Sequence, residues 1–418
     1  MKAHTTFVLV CCVLPYAACE SLRGAEPAPA ATSAPPRVHY LDTTLENASP
    51  LWWETAADGT VQINFVYDQE RASPNRANGH WLFRIEGEPD TDLTLDLGPF
   101  GNVWNGTLSK PIPEATIAFL SDDGQQWRVV PAEPAEPYRL RLRVHLNSSS
   151  LYVARLEPYR ISDLERFKSE IARHPAVEIT VIGHTVERRE LELIRVGRPQ
   201  APHRVFLRAR AHPWEPGGNW VIEGLVRRLL DNDEHAQRCL DRYCLYLLPM
   251  ANKDGVARGR TRFNMRGMDL NRKWDTPADP TLAPENAAIE RWIESTIAQQ
   301  CPPDLAIDFH NDASGRLHIS RPDEATGDTA AYLQRMEQFE RLLRAGSWFT
   351  EGSTSSSFRN PGTIGEGLLA RYGITACIHE LNANWIEGLQ DYPTAANWKK
   401  YGAQLSDVLF KYFEPVEH

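Results

Sequence analysis

The chain has 418 residues, 42% hydrophobic and 24% charged, with a formal net charge of -10. That length supports one large core beside a smaller domain, and the acidic balance excludes a surface built for nucleic acid. No segment after the first few residues is long and apolar enough to suggest a membrane-spanning helix.

The N-terminus reads as an export signal. Lys2 precedes a short apolar run, Phe7–Leu14, and the small residues Ala17 and Ala18 lead to Cys19. The run is too short to cross a bilayer. Tyr16-Ala-Ala-Cys19 resembles a bacterial lipoprotein box except at Tyr16, so a lipid on Cys19 and ordinary cleavage to a secreted or periplasmic product both fit. The signal is expected over 1–18 and an Ala- and Pro-rich tether over 19–37. Beyond them stand Cys239, Cys244, Cys301 and Cys377, whose spacing is not that of a zinc ribbon and which read as structural.

From Val38 to Pro158 short apolar–polar alternations are separated by turn signals, as in Val61–Val66, Leu93–Leu97 and Tyr138–Val144. This pattern predicts a small antiparallel β-sandwich over 38–158, with Asp123-Gly124 marking a hairpin. Its tryptophans, Trp52, Trp53, Trp81, Trp104 and Trp127, suit packing better than a sugar platform.

The rhythm changes after Pro158. Ser162 is positioned to cap a helix running to about Arg173. Apolar strands follow at 177–181, 191–196, 205–207, 243–248, 305–309 and 374–378. They alternate with helical patterns at 220–230, 283–299, 329–345 and 394–413. Such alternation predicts an α/β domain over 159–418, a mixed, mostly parallel sheet flanked by helices. Ligands of these sheets gather beyond the carboxyl ends of strands. His212, His310 and Glu380 each follow an apolar strand closely.

His212 and Glu215 lie three residues apart, flanked by Pro213 and Pro216, with Gly217-Gly218 before a helix. The prolines oppose helix through the turn and the glycines let it bend, so imidazole and carboxylate can face one spot suited to a divalent metal, zinc first. His310 offers a third donor, and two His with one Glu leave a coordination position open. Asp308 either orients a ligand histidine or faces the far side of its strand. Glu380, partly desolvated on its strand, is suited to general acid–base work, and His379 points the other way. An arginine fork near Asn271 would bind a carboxylate, and Arg258, Arg260, Arg262 and Arg266 compete to stabilise an oxyanion.

His212-Pro-Trp-Glu215, Pro249-Met-Ala-Asn-Lys-Asp-Gly-Val256, Asp269-Leu-Asn-Arg-Lys-Trp274, a strand-terminal His310 and a strand bearing Glu380 stand in one order. In that order the chain resembles the zinc metallocarboxypeptidases (carboxypeptidase A-like). Within them it looks most like the cytosolic carboxypeptidase-like branch, which has exported bacterial members. Glu157-Pro-Tyr159, the segment Gly183–Leu193 and the N-terminal sandwich extend the resemblance to about residues 45–415. It implies one zinc per chain on His212, Glu215 and His310, and Glu380 as general base and acid. It further implies Asn271 and Arg272 as a clamp for a substrate carboxylate, Arg262 as oxyanion stabiliser, and a peptide with a free C-terminus as substrate. Trp214 replaces the usual Gly and Lys253 the usual Pro, departures that bear on substrate choice. Glu366 or Arg371 would set side-chain preference, with opposite signs. Two other readings stand beside this one: a zinc amidase or carboxypeptidase for peptidoglycan peptides or N-acyl amino acids, and a catalytically silent binding module.

Overall fold

Alternating burial builds the N-terminal half. In Arg139–Leu146, the residues Leu140, Leu142, Val144 and Leu146 point inward and the arginines between them outward. The computed structural model describes residues 37–109, 115–320, 329–355 and 358–414; the expected export signal and nearly all of the tether lie outside them. Two five-stranded sheets share this half. One has the order Val38–Asp42, Leu82–Gly87, Ser150–Ala154, Ile117–Ser121, Arg128–Pro131. The other runs Glu133–Ala135, Arg139–Leu146, Thr91–Gly98, Val61–Phe65, Leu51–Thr55. All pairs are antiparallel except Val61–Phe65 with Thr91–Gly98. Their inner faces enclose Ile63, Phe83, Leu95, Leu142 and Val153.

The hairpin at Asp123-Gly124 forms between Ile117–Ser121 and Arg128–Pro131. Gly124 takes φ 70 there, and the Asp123 carboxylate accepts the amides of Gln125 and Gln126, each at 2.8 Å. Trp81 is buried, as expected of a packing residue, but Trp52 is 57% exposed because its edge strand turns it outward. A further four-stranded set, Asp68–Gln69, Arg76–Ala77, Asn102–Trp104 and Thr107–Ser109, was not anticipated; its strands are too short to show a period.

Beyond residue 176 a seven-stranded sheet runs Val177–His184, Glu190–Val196, Tyr243–Leu248, His203–Ala209, Leu305–Asp312, Thr375–Asn382, Leu317–Ile319. Its four consecutive strands from Tyr243–Leu248 to Thr375–Asn382 are parallel, and the outer strands join antiparallel. Both faces are covered, so the central strands carry apolar runs, Val205–Leu207, Leu305–Ile307 and Ala376–Ile378. Val205 and Leu207 pack in one layer with residues of the helices Gly217–Leu229, Thr329–Gly346 and Ala395–Tyr412. Phe206 and Ala306 pack in the other, with Ile289 of Pro284–Ala298 and Leu368 of Ile364–Tyr372. Gly218 permits the first layer: a Cβ there would lie 2.5 Å from Cβ of Phe309 and 2.8 Å from Cβ of Ala209.

The first helix, Ile161–Ile171, begins one residue before Ser162. Arg160 is the N-cap, its amide held by the Asp163 carboxylate at 2.7 Å, so Ser162 does not cap. The helices Glu234–Arg242 and Ile364–Tyr372 were also unanticipated. From residue 37 onward the described residues form one compact unit. Leu82, Phe119 and Ala154 of the sandwich share a core with Phe167 and Trp220, and Tyr159 meets Trp220 edge-on at 4.6 Å. The four expected structural cysteines are free thiols, three of them buried. No described helix is long and apolar enough to cross a membrane.

Candidate metal centre

His212 and Glu215 sit on the turn after His203–Ala209, and His310 lies on the neighbouring strand Leu305–Asp312. Nδ1 of His212 is 2.8 Å from Oε1 of Glu215, Nδ1 of His310 is 2.8 Å from Oε2 of Glu215, and the two Nδ1 atoms are 3.2 Å apart. Donors about 2.0–2.1 Å from one zinc at tetrahedral angles lie roughly 3.3 Å from each other. The two Nδ1 atoms have that spacing, the carboxylate oxygens lie closer at 2.8 Å, and all three residues are buried.

The outer ring nitrogens explain why the inner ones converge. Nε2 of His212 donates to Asp269 at 3.1 Å and Nε2 of His310 donates to Asp308 at 2.6 Å. With both Nε2 atoms so committed, the two Nδ1 atoms face each other beside the Glu215 carboxylate, and each offers a ligand lone pair once deprotonated. A divalent cation suits that arrangement, and carboxylate-buttressed histidines are usual around zinc. Asp308 therefore faces the site, sharing its side of the strand with His310 as alternate residues do. Its carboxylate is also gripped by Arg208 through Nε at 2.7 Å and Nη2 at 2.6 Å.

These charges set the titration of the centre. Burial alone would raise Glu215, but the His212 and His310 rings hold its carboxyl below the ordinary range. Burial opposes a charge on His310, yet Asp308 and Glu215 outweigh it and raise the ring well above its usual value. At Asp269 burial is likewise overcome, by Arg262 and His212, and the carboxyl is held well below normal.

Glu380 is the register partner of His310 across the parallel strands Leu305–Asp312 and Thr375–Asn382. Its Oε2 is buried without a hydrogen-bond partner. Burial, reinforced by the Asp312 carboxylate, raises Glu380 well above the usual carboxylate range. His379 points away and bonds the Tyr401 hydroxyl.

A cavity of about 940 Å³ is lined by His212, Glu215, Arg262, Asn271, Arg272 and Glu380. Arg262 is anchored on Asp269 through Nε at 2.8 Å and Nη2 at 2.7 Å, and its guanidinium lies 4.8 Å from the Trp104 ring centroid. Asn271 accepts the amide of Ile364 at 3.1 Å, which orients its side chain, and Arg272 holds the Asn271 carbonyl at 2.8 Å. Of the competing arginines, Arg258 pairs with Glu187 and Arg260 with Asp68, and neither they nor Arg266 line the cavity. Glu366 and Arg371 also lie off it; Arg371 is taken up by Glu290 and two backbone carbonyls. Trp214 does line it, and Lys253 is buried on Glu192.

Sequence reasoning missed three contributors. Asp269 stands inside the quoted Asp-Leu-Asn-Arg motif yet was given no role. Asp68 accepts the amides of Arg262 and Phe263, each at 2.8 Å, and so carries the arginine loop from the sandwich half. His318 lines the cavity with its Nδ1 unpartnered, and burial lowers its pKa to about 4. Asp269 was legible in the motif, whereas Asp68 and His318 depend on long-range contacts.

Residues 164–323 match the zinc carboxypeptidase family, Peptidase_M14. Over those residues the chain is similar to that family, and it has a carboxypeptidase-like α/β fold behind a β-rich N-terminal region. Among curated relatives, cytosolic carboxypeptidase 6 of Caenorhabditis elegans is 32% identical over 129 residues, covering 29% of this chain and 28% of its own length. Human cytosolic carboxypeptidase 1 is 36% identical over 106 residues, covering 25% of this chain and 9% of its own. The chain therefore spans well under two thirds of these relatives. Among solved structures, a metallo-carboxypeptidase from Pseudomonas aeruginosa superposes with TM-score 0.74 at 22% identity, covering 90% of this chain and 100% of that one. One from Burkholderia cenocepacia does so with TM-score 0.74 at 21% identity over 89% and 98%. Zinc is the cofactor of the family, and His212, Glu215 and His310 fit it.

Proposed function

We propose that the protein is a zinc-dependent metallocarboxypeptidase that hydrolyses the C-terminal bond of peptides bearing a free α-carboxylate. One observation carries the reading: His212 and Glu215 of the donor triad, Glu380 with its unpartnered Oε2, and Arg272 with Asn271 line one cavity. His212, Glu215 and His310 would hold the zinc, which when bound would polarise the scissile carbonyl and make water a stronger acid. Arg272 and the Nδ2 of Asn271 hold the substrate carboxylate, which fixes the terminal residue between them and the triad. Glu380 takes a proton from the attacking water and delivers it to the departing amine. Arg262, braced by Asp269, keeps Nη1 for the developing oxyanion. The C-terminal residue leaves as a free amino acid.

The test is digestion of a peptide library with varied C-termini, read by mass spectrometry with and without chelator. Chelator-sensitive loss of single C-terminal residues supports the reading. Cleavage of muropeptides or N-acyl amino acids alone supports the second zinc hypothesis, and no release at all supports a silent module. Lys2, the apolar run and Ala17-Ala18-Cys19 support export of the enzyme, with a lipid on Cys19 as its one membrane link. Mass spectrometry of the mature N-terminus decides that point.

A further inference from the structure

Glu380 has a second set of neighbours. Its strand, Thr375–Asn382, lies between Leu305–Asp312 and Leu317–Ile319. Asp312 stands two residues beyond His310, the register partner of Glu380, and His318 pairs with Ile378, two residues before Glu380. Alternation along each strand therefore puts Asp312, His318 and Glu380 on one face of the sheet. One ligand atom from each lies within 4.8 Å of those from the other two. All three residues line the large cavity. Oε2 of Glu380 and Nδ1 of His318 are both buried without a hydrogen-bond partner. Asp312 is fixed by its own loop: Oδ1 accepts the amides of Ser314 and Gly315, and Oδ2 accepts the Ser314 hydroxyl, each at 2.7 Å. Oδ2 so keeps a free lone pair. Among the described residues no lysine or arginine is ion-paired with Asp312 or Glu380. Arg262, whose charge reaches Glu380, spends Nε and Nη2 on Asp269.

Two carboxylates and an imidazole that presents a lone pair are all acceptors. A bridging water brings two protons and no charge, whereas a divalent ion answers both the lone pairs and the uncompensated acids. The imidazole favours a borderline transition ion over calcium or magnesium, which take oxygen ligands. We propose that Asp312, His318 and Glu380 form a second divalent-cation site, suited to zinc, beside the centre of His212, Glu215 and His310. The second ion binds more weakly than the first, because two dications held on neighbouring strand ends repel each other. Its effect on turnover rests on the peptidase reading above: a Glu380 carboxylate engaged by an ion cannot take a proton from water, so excess zinc stops the reaction.

Equilibrium dialysis of protein carrying one zinc, against buffered zinc at rising concentration, tests the site. A second zinc per chain is expected in the wild type and only one in Asp312→Asn and in His318→Phe. Zinc-edge anomalous maps of wild-type crystals should place the second ion within coordination distance of His318 and Glu380. Saturation at one zinc, a second ion placed elsewhere, or a second equivalent surviving both substitutions would overturn the proposal. So would an anomalous peak at crystal concentrations with no second equivalent in dialysis. Should either variant not fold, the wild-type dialysis and map decide alone. Neither arm uses turnover, so both hold even for a protein that cleaves no peptide. Where peptide is cleaved, excess zinc should suppress the wild type as the second site fills, and His318→Phe should shift that midpoint upward; an unshifted midpoint would count against the site.

Discussion

The Asp308 carboxylate stands 2.6 Å from Nε2 of His310, and Arg208 grips the same carboxylate from behind. One acid therefore aims a metal donor and neutralises a fully buried cation. Asp308→Asn keeps the shape but loses the charge, and zinc affinity should fall about ten- to a hundredfold, as for other partners of metal-bound histidines. Competition with a chromogenic chelator measures it. Asp308→Ala should in addition lower stability by about 3–5 kcal/mol, because Arg208 is left buried and unpaired.

Glu380→Gln keeps the side-chain volume and removes the base. Zinc should stay bound at wild-type stoichiometry while kcat falls by about 10²–10⁴. Wild-type turnover in that variant would remove Glu380 from the mechanism.

Arg272→Lys preserves charge but not the planar fork. KM for peptides with a free carboxylate should rise about ten- to a hundredfold. The weak reaction with C-terminally amidated peptides should be unchanged. An equal effect on both substrates would place Arg272 outside the carboxylate clamp.

Gly218→Ala tests the layer that seats the metal turn. The added methyl would fall 2.5 Å from Cβ of Phe309, so the helix Gly217–Leu229 must move off the sheet. A loss of about 1–3 kcal/mol is expected in denaturant unfolding.

Glu285 gives a pH signature. Its carboxylate accepts from Val186 at 3.1 Å and Asn264 at 3.0 Å, yet burial still raises its pKa to about 7 from 4.5. The folded state holds this proton more tightly than the unfolded chain. Its contribution is thus full below pH 4.5 and lost as pH rises through about 7. The change is on the order of 3 kcal/mol. Glu285→Gln should flatten that slope in urea melts taken at several pH values, even though one acceptor is lost. An unchanged slope would assign the pH dependence to another group.

The metal donors were readable in the sequence because each sits at the end of, or just after, an unmistakably apolar run. Strand pairing then brings them together: His310 and Glu380 are register partners, a relation no local pattern reveals. The turn at His212 was legible through its prolines and glycines. Asp308 was ambiguous in sequence, because period-2 alternation places it with His310 only once the run is known to be a strand throughout. The far wall of the cavity was not legible. Trp104 and Asp68 come from strands of two or three residues, and they reach Arg262 across about half the chain. Ser162 misled because a good capping residue lay two positions past the N-cap, where Asp163 instead holds the Arg160 amide.

Metal analysis of the chain purified without chelator, paired with zinc-edge X-ray absorption, tests the central claim most directly. One zinc per chain with two imidazoles and a carboxylate in its shell is expected, and His310→Ala should lose the metal. Substoichiometric zinc in the wild type, or full retention in His310→Ala, would contradict it.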